Sequence, residues 1–219
     1  MSSVRLRLPL LLAGLQLGLS LSGCSKPDGP VMTREIKMAP FESIRARGSF
    51  SMDVSTGPVQ KITLTGTAED LDQVKMDHEL GRRLSIESAS GVGEDATLTV
   101  SVVLPKLKAL YIGGQLSVSV RGLEQKASLL DVSGTSAVKI AGTVEYAQID
   151  CTGMSSIDAS MLSAKRVEAA TSGNCEMDVR VSEILTADLS GKSVVGYYGS
   201  PKTVKESAVG GGSVVNRGP

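Results

Sequence analysis

The sequence predicts an all-β fold, a parallel β-solenoid with a longer-stranded N-terminal part. Three observations lead there. Six glycines, Gly114, Gly134, Gly153, Gly173, Gly191 and Gly211, recur at spacings of 20, 19, 20, 18 and 20. Residues two and four positions before each, and four and six after, are mostly apolar, and the odd offsets between them are mostly polar or small. Glycine is abundant, 24 of 219 residues, yet Asn-Gly, the strongest hairpin dipeptide, is absent. Even-offset apolarity is strand periodicity. A unit of about 20 residues cannot bury its apolar side alone, and stacked units can.

The elements follow in order. Residues 1–23 read as an export signal. Arg5 and Arg7 precede a charge-free, leucine-rich run from Leu8 to Leu21. That run falls short of the roughly 20 apolar residues a membrane span needs. Leu21-Ser22-Gly23-Cys24 resembles the bacterial lipobox. The resemblance implies diacylglycerol transfer to the Cys24 thiol, cleavage before it, and attachment of the mature chain to a membrane. Acyl chains contribute about 0.8 kcal/mol per buried CH₂, enough for stable anchoring when several are attached. Ser25, rather than Asp, follows the cysteine, which by the usual sorting pattern implies the outer membrane of the bacterial envelope. Residues 24–36, with two prolines, read as a tether. The folded unit is then 37–219, with an excursion over 37–110 and six glycine-anchored rungs over 111–219.

In the excursion, Ile44, Ala46, Gly48, Phe50, Met52 and Val54 match the repeat template and predict an early rung. Strands are expected at 62–64, 74–78, 84–86 and 98–103, with a helical turn near 69–72. In the rungs, Val118, Val138, Ile157, Met177, Val195 and Val215 form one expected core column. Ile112, Val132, Cys151, Thr171, Leu189 and Val209 form another. At the chain end, Arg217 interrupts an apolar column and Pro219 lacks an N–H donor. Both blunt an open edge, so the last rung is expected either to self-associate with a second copy or to be the least protected part of the fold.

Phe41-Glu42-Ser43-Ile44, Gly48-Ser49-Phe50, Pro105-Lys106-Leu107, Tyr197-Tyr198-Gly199-Ser200-Pro201-Lys202 and Val209-Gly210-Gly211-Gly212-Ser213-Val214 resemble the head GIN domain family of auto-transporter adhesins. The resemblance spans roughly residues 38–218. The family's Ser-Gly-Ser-Gly units are altered here, with Ser136, Ser155, Cys175 and Ser193 in place of the second glycine. The resemblance implies a right-handed β-helix, a cell-envelope location and no known catalysis.

Composition narrows the chemistry. Basic and acidic residues number 23 each, and residues 24–219 carry a net charge of −2, so no nucleic-acid partner is expected. His78 is the single histidine, which excludes a two-histidine metal site. No Gly-x-Ser-x-Gly elbow accompanies the many serines, and no catalytic residue is assigned. Asp131, Asp150 and Asp188 share one odd-offset column, and Asp158 and Asp178 share another beside Lys139. They read as a solvated face rather than a calcium site, so no metal and no cofactor is expected. Tyr197 is expected in the core and Tyr198 at the surface. Cys151 and Cys175 lie on neighbouring rungs, four positions apart in register. Along a straight strand that offset exceeds the reach of a disulfide, unless the glycine turn folds them together. Two buried free thiols are the expectation. The expected role is a lipid-anchored, non-enzymatic interaction module whose partner is an unidentified surface protein or glycan. A glycan-binding or glycan-active solenoid and a structural scaffold are the alternatives.

Overall fold

A computed structural model describes residues 29–80, 82–88 and 98–219. The N-terminal part holds β1 (Met32–Ile36), β2 (Ser43–Thr56), β3 (Lys61–Gly66), the short helix α1 (Ala68–Asp72), β4 (Val74–Glu79), β5 (Arg83–Ser88) and β6 (Thr99–Leu104). The repeats follow as β7 (Ala109–Gly134), β8 (Ala137–Gly153), β9 (Ser156–Gly173), β10 (Glu176–Gly191), β11 (Val194–Tyr198), β12 (Thr203–Gly210) and β13 (Ser213–Gly218). The chain folds as a β-solenoid of about five turns, and 77% of the described residues are in strands.

The strands β7 to β10 pair in parallel, each with the next, and the registers put glycine beside glycine. Gly48, Gly114, Gly134, Gly153, Gly173, Gly191 and Gly210 form one column. Each has a positive φ, from 88° to 123°. The carbonyls of Gly114, Gly134, Gly153, Gly173 and Gly191 each accept a 2.8 Å bond from the N–H of the residue that follows the next corner glycine, as Gly114 does from Thr135 and Gly153 from Asn174. Each such carbonyl lies under the next Cα. A Cβ at Gly173 would come within 2.6 Å of the Gly153 oxygen. Both the backbone angle and the stacking therefore require glycine.

The expected core columns are buried from Ile44 through Val195. Register shifts fall beyond the fifth residue after the corner, at Val120/Leu123, Lys139/Ala141, Val179/Arg180 and Val181/Ile184.

The last corner differs from the sequence reading. Gly210, not Gly211, pairs with Gly191 and takes the positive φ. Gly211 supplies the N–H that bonds the Gly191 carbonyl. Three consecutive glycines left the choice open, and the apolar Val209 and Val215 drew the reading one residue too far. A one-residue slip exchanges the two faces of a strand. Val209 and Val215 are consequently 71% and 38% exposed. The core columns instead continue into Glu206, Ala208, Val214 and Asn216. All of β12 is exposed, and among the described strands it pairs with β10 alone.

At the other end the sheet order is β1-β3-β6-β2-β7. The strands β5 and β6 lie along successive halves of β2, both parallel to it, and so build a rung on its outer side although they follow it in sequence. The strands β3 and β4 then pair antiparallel to β6 and β5. Leu71 of α1 is buried, and the helix starts in a capping box between Thr67 and Asp70. The tether read over 24–36 is shorter than expected. Met32–Ile36 is a strand on β3, joined by antiparallel pairing and by a Lys61–Glu35 ion pair.

Candidate functional site

The glycine corner is the most constrained part of the solenoid. Two residues past it, Ser136, Ser155 and Ser193 are buried. Ser136 Oγ donates to the Gly114 carbonyl and accepts from Leu116 N, both at 3.1 Å. Ser155 repeats the pattern with Gly134 and Ser136 N. These hydroxyls satisfy backbone groups that the sharp turn leaves out of the ladder.

Cys175 takes the serine position of its rung and forms a disulfide with Cys151, with the Cα atoms 6.3 Å apart. This corrects the expectation of two free thiols. The offset of four positions was measured along a straight strand. The chain instead turns at Gly153 and Gly173, so residues on either side of the corner point into the same space. The structure thus removes both cysteines from the inventory of reactive groups.

The remaining candidates separate. Cys24 lies outside the described residues. His78 is exposed, with Nε2 3.2 Å from the Pro40 carbonyl. Asp131 and Asp150 face each other across β7 and β8. Burial, followed by the Asp150 charge, pushes the Asp131 carboxyl up. Asp158 accepts a 2.6 Å bond from Ser160 Oγ, and Asp178 is paired with Arg217. No cluster of three metal-ligating side chains occurs among the described residues. Among the described residues, His78, the aspartates and the cysteines lie at separate places in the fold.

A groove of about 740 Å³ runs along the solenoid axis at the second bend of each rung. Its floor is the buried trio Val144, Ala164 and Val181. Along it Glu124, Thr143, Ser163 and Arg180 stand side by side in register on β7 to β10, and Tyr198 of β11 follows Arg180. Arg180 is held from two sides. Its Nε donates to the Ser160 carbonyl at 2.9 Å, and its guanidinium lies 5.3 Å from the Tyr198 ring centroid. Tyr198 is half-buried beneath this cation rather than simply solvated, and Tyr197 packs partly against the core. Lys165 and Glu145 also line the groove, and they pair with each other at 3.8 Å.

The sequence did not point to this column. Its members lie 10, 9, 10, 7 and 7 residues after their corner glycines, because bulges change the count. Fixed-offset reading cannot align them. The Arg180–Tyr198 pair, one rung apart, was the one available signal.

The fold is similar to that of a solved putative adhesin from Bacteroides fragilis, at 18% identity and TM-score 0.64, covering 87% of this chain and 98% of that one. A putative adhesin from Parabacteroides merdae matches at 17% identity and TM-score 0.45, over 86% of this chain and 97% of that one. A putative lipid binding protein from Parabacteroides distasonis matches at 20% identity and TM-score 0.45, over 86% and 97%. No curated protein matches the chain in sequence. The family model described as "Putative auto-transporter adhesin, head GIN domain" matches residues 40–201. With most of the rungs and the whole groove inside that match, the chain belongs to the head GIN domain family.

Proposed function

We propose that the protein is a lipid-anchored, non-enzymatic interaction module of the bacterial envelope, an adhesin-like solenoid that presents its groove to a surface partner. The observation that carries this reading is the groove itself. It is a continuous, solvent-open strip in register across successive rungs, with no nucleophile–base pair or metal cluster among the described residues lining it. A rigid platform with a long shallow surface is suited to holding an extended partner, and less suited to enclosing a reacting centre.

Three further features agree. Family membership goes with a cell-surface or envelope location. The Cys151–Cys175 disulfide suits an oxidising compartment outside the cytosol. The Leu21-Ser22-Gly23-Cys24 box would supply the anchor, with the outer membrane as the proposed destination. The tether between Cys24 and β1 would hold the solenoid close to the bilayer.

The test has two parts. Cells making the native protein should incorporate labelled fatty acid into it and hold it in the membrane fraction. The Cys24→Ser form should do neither, and retention of that form through a high-salt wash would remove the anchor from the proposal. Separately, cells displaying the anchored protein should adhere to a partner surface better than cells releasing the Cys24→Ser form. Equal adherence, or turnover of an acidic polysaccharide by the purified domain, would overturn the interaction role.

A further inference from the structure

The groove has a polarity that identifies the kind of molecule it fits. Glu124 at one end has no cationic partner, and Arg180 three rungs away has no carboxylate partner, among the described residues. Between them Thr143 and Ser163 present hydroxyls. Among the described residues, the guanidinium makes a hydrogen bond only through its Nε, to the Ser160 carbonyl. Its two terminal nitrogens remain as a planar fork, and the Tyr198 ring fixes the plane. That fork matches a carboxylate.

We infer that the Glu124–Thr143–Ser163–Arg180 strip binds a short, extended oligopeptide by its two ends, the amino group at Glu124 and the carboxylate at Arg180. Three strand spacings separate the ends, about 14 Å at about 4.8 Å each. An extended chain spans at most about 3.6 Å per residue, so about four residues bridge the strip. The hydroxyls of Thr143 and Ser163 serve the peptide groups between. An acidic glycan is a poorer fit, because Glu124 repels the charge that Arg180 attracts. The inference rests on the groove being the working surface of the module.

The purified domain, residues 25–219, is titrated with tetra-alanine carrying free ends and followed by amide shifts in NMR. Saturable shifts should map to β7 through β10 around Thr143 and Ser163. Amidating the carboxyl end, or Arg180→Gln, should weaken binding about tenfold or more, as expected for loss of a charge-assisted bond. Acetylating the amino end, or Glu124→Gln, should do likewise, and Lys139→Gln on another face should change nothing. Di-alanine should bind more weakly than tetra-alanine.

Absence of saturable shifts, or shifts indifferent to both Arg180→Gln and Glu124→Gln, would overturn the assignment. So would preferential binding of oligogalacturonate through Arg180, which would make the strip an acidic-glycan site. If the peptide fails while anchored cells still adhere to a surface, the ligand class falls and the interaction role stands. If the peptide binds as described and cells adhere no better than the Cys24→Ser form, the role falls and the strip remains.

Discussion

Arg217 Nε donates to Asp178 Oδ1 at 3.2 Å, from β13 to β10, passing over Gly196 of the intervening β11. A Cβ at Gly196 would strike both side chains. Arg217 Nη2 also lies 3.6 Å from Glu176. The final strand is thus tied to the body of the solenoid by a bridge across a strand, on a face that is outward only because the corner glycine is Gly210. Arg217→Gln should loosen β13 specifically. Amide exchange in Ser213–Gly218 should quicken severalfold while β7–β9 stay protected, since a half-exposed ion pair contributes about 1 kcal/mol. Unchanged exchange in β13 would show that the bridge does not hold the rung.

Two glycine substitutions test the corner. Gly153→Ala forces a side chain to φ +107° and against the Gly134 carbonyl. It should cost about 1–3 kcal/mol or more in denaturant unfolding. Gly211→Ala meets nothing closer than Lys192 Cγ at 3.8 Å and should be almost neutral. A loss at Gly211 as large as that at Gly153 would restore the register inferred from the sequence.

The disulfide should be detectable and stabilising. Oxidised residues 25–219, which exclude Cys24, should show no free thiol when unfolded. Replacing Cys151 and Cys175 together by Ser should lower stability by about 2–4 kcal/mol. Two titratable thiols in oxidised protein would contradict the bond.

The even-offset core can be probed at neighbouring residues. Val138 is 1% exposed, between Val118 and Ile157, while Lys139 faces solvent. Val138→Asp buries an unpaired carboxylate and should cost several kcal/mol, enough to unfold many domains. Lys139→Ser should change stability by less than about 0.5 kcal/mol. Similar losses at both sites would be incompatible with the register.

Tyr146 gives a pH-dependent signature. Its hydroxyl donates a 2.6 Å bond to Glu168, which, with burial and the Glu168 charge, pushes its pKa up to about 12 from 10.0. The folded pKa exceeds the unfolded one, so this contact stabilises fully below pH 10 and is lost as pH rises through about 12. Ultraviolet titration, by difference with Tyr146→Phe, should find this phenol unionised at pH 10.0. Glu168→Gln should move its titration back toward 10.0; an unmoved titration would mean that Glu168 is not the cause.

The fold class, five of the six assigned repeat glycines as positive-φ corners, and the core columns through Val195 were legible in the sequence. Each depends on a local, periodic constraint. A corner needs glycine because of its own φ and the carbonyl below it, and an inward residue must be apolar because it alternates with an outward one. The early rung at Gly48 was legible for the same reason. The placement of β5 and β6 outside β2 was not, because no sequence period records the order in which strands stack.

The tertiary structure decided what depends on bends and counts. Cys151 and Cys175 are distant along a strand and adjacent across a corner, so only the turn angle reveals the bond. Gly210 and Gly211 are chemically alike, and the backbone bond to Gly191 chose between them, reversing the faces of the last rung. Glu124, Thr143, Ser163 and Arg180 align only after bulges shift their rungs by different amounts. The sequence by itself determined that the chain stacks; which outward side chains become neighbours was set by where the stacked rungs bend, because a side chain's neighbours across rungs follow the local register and not a constant offset.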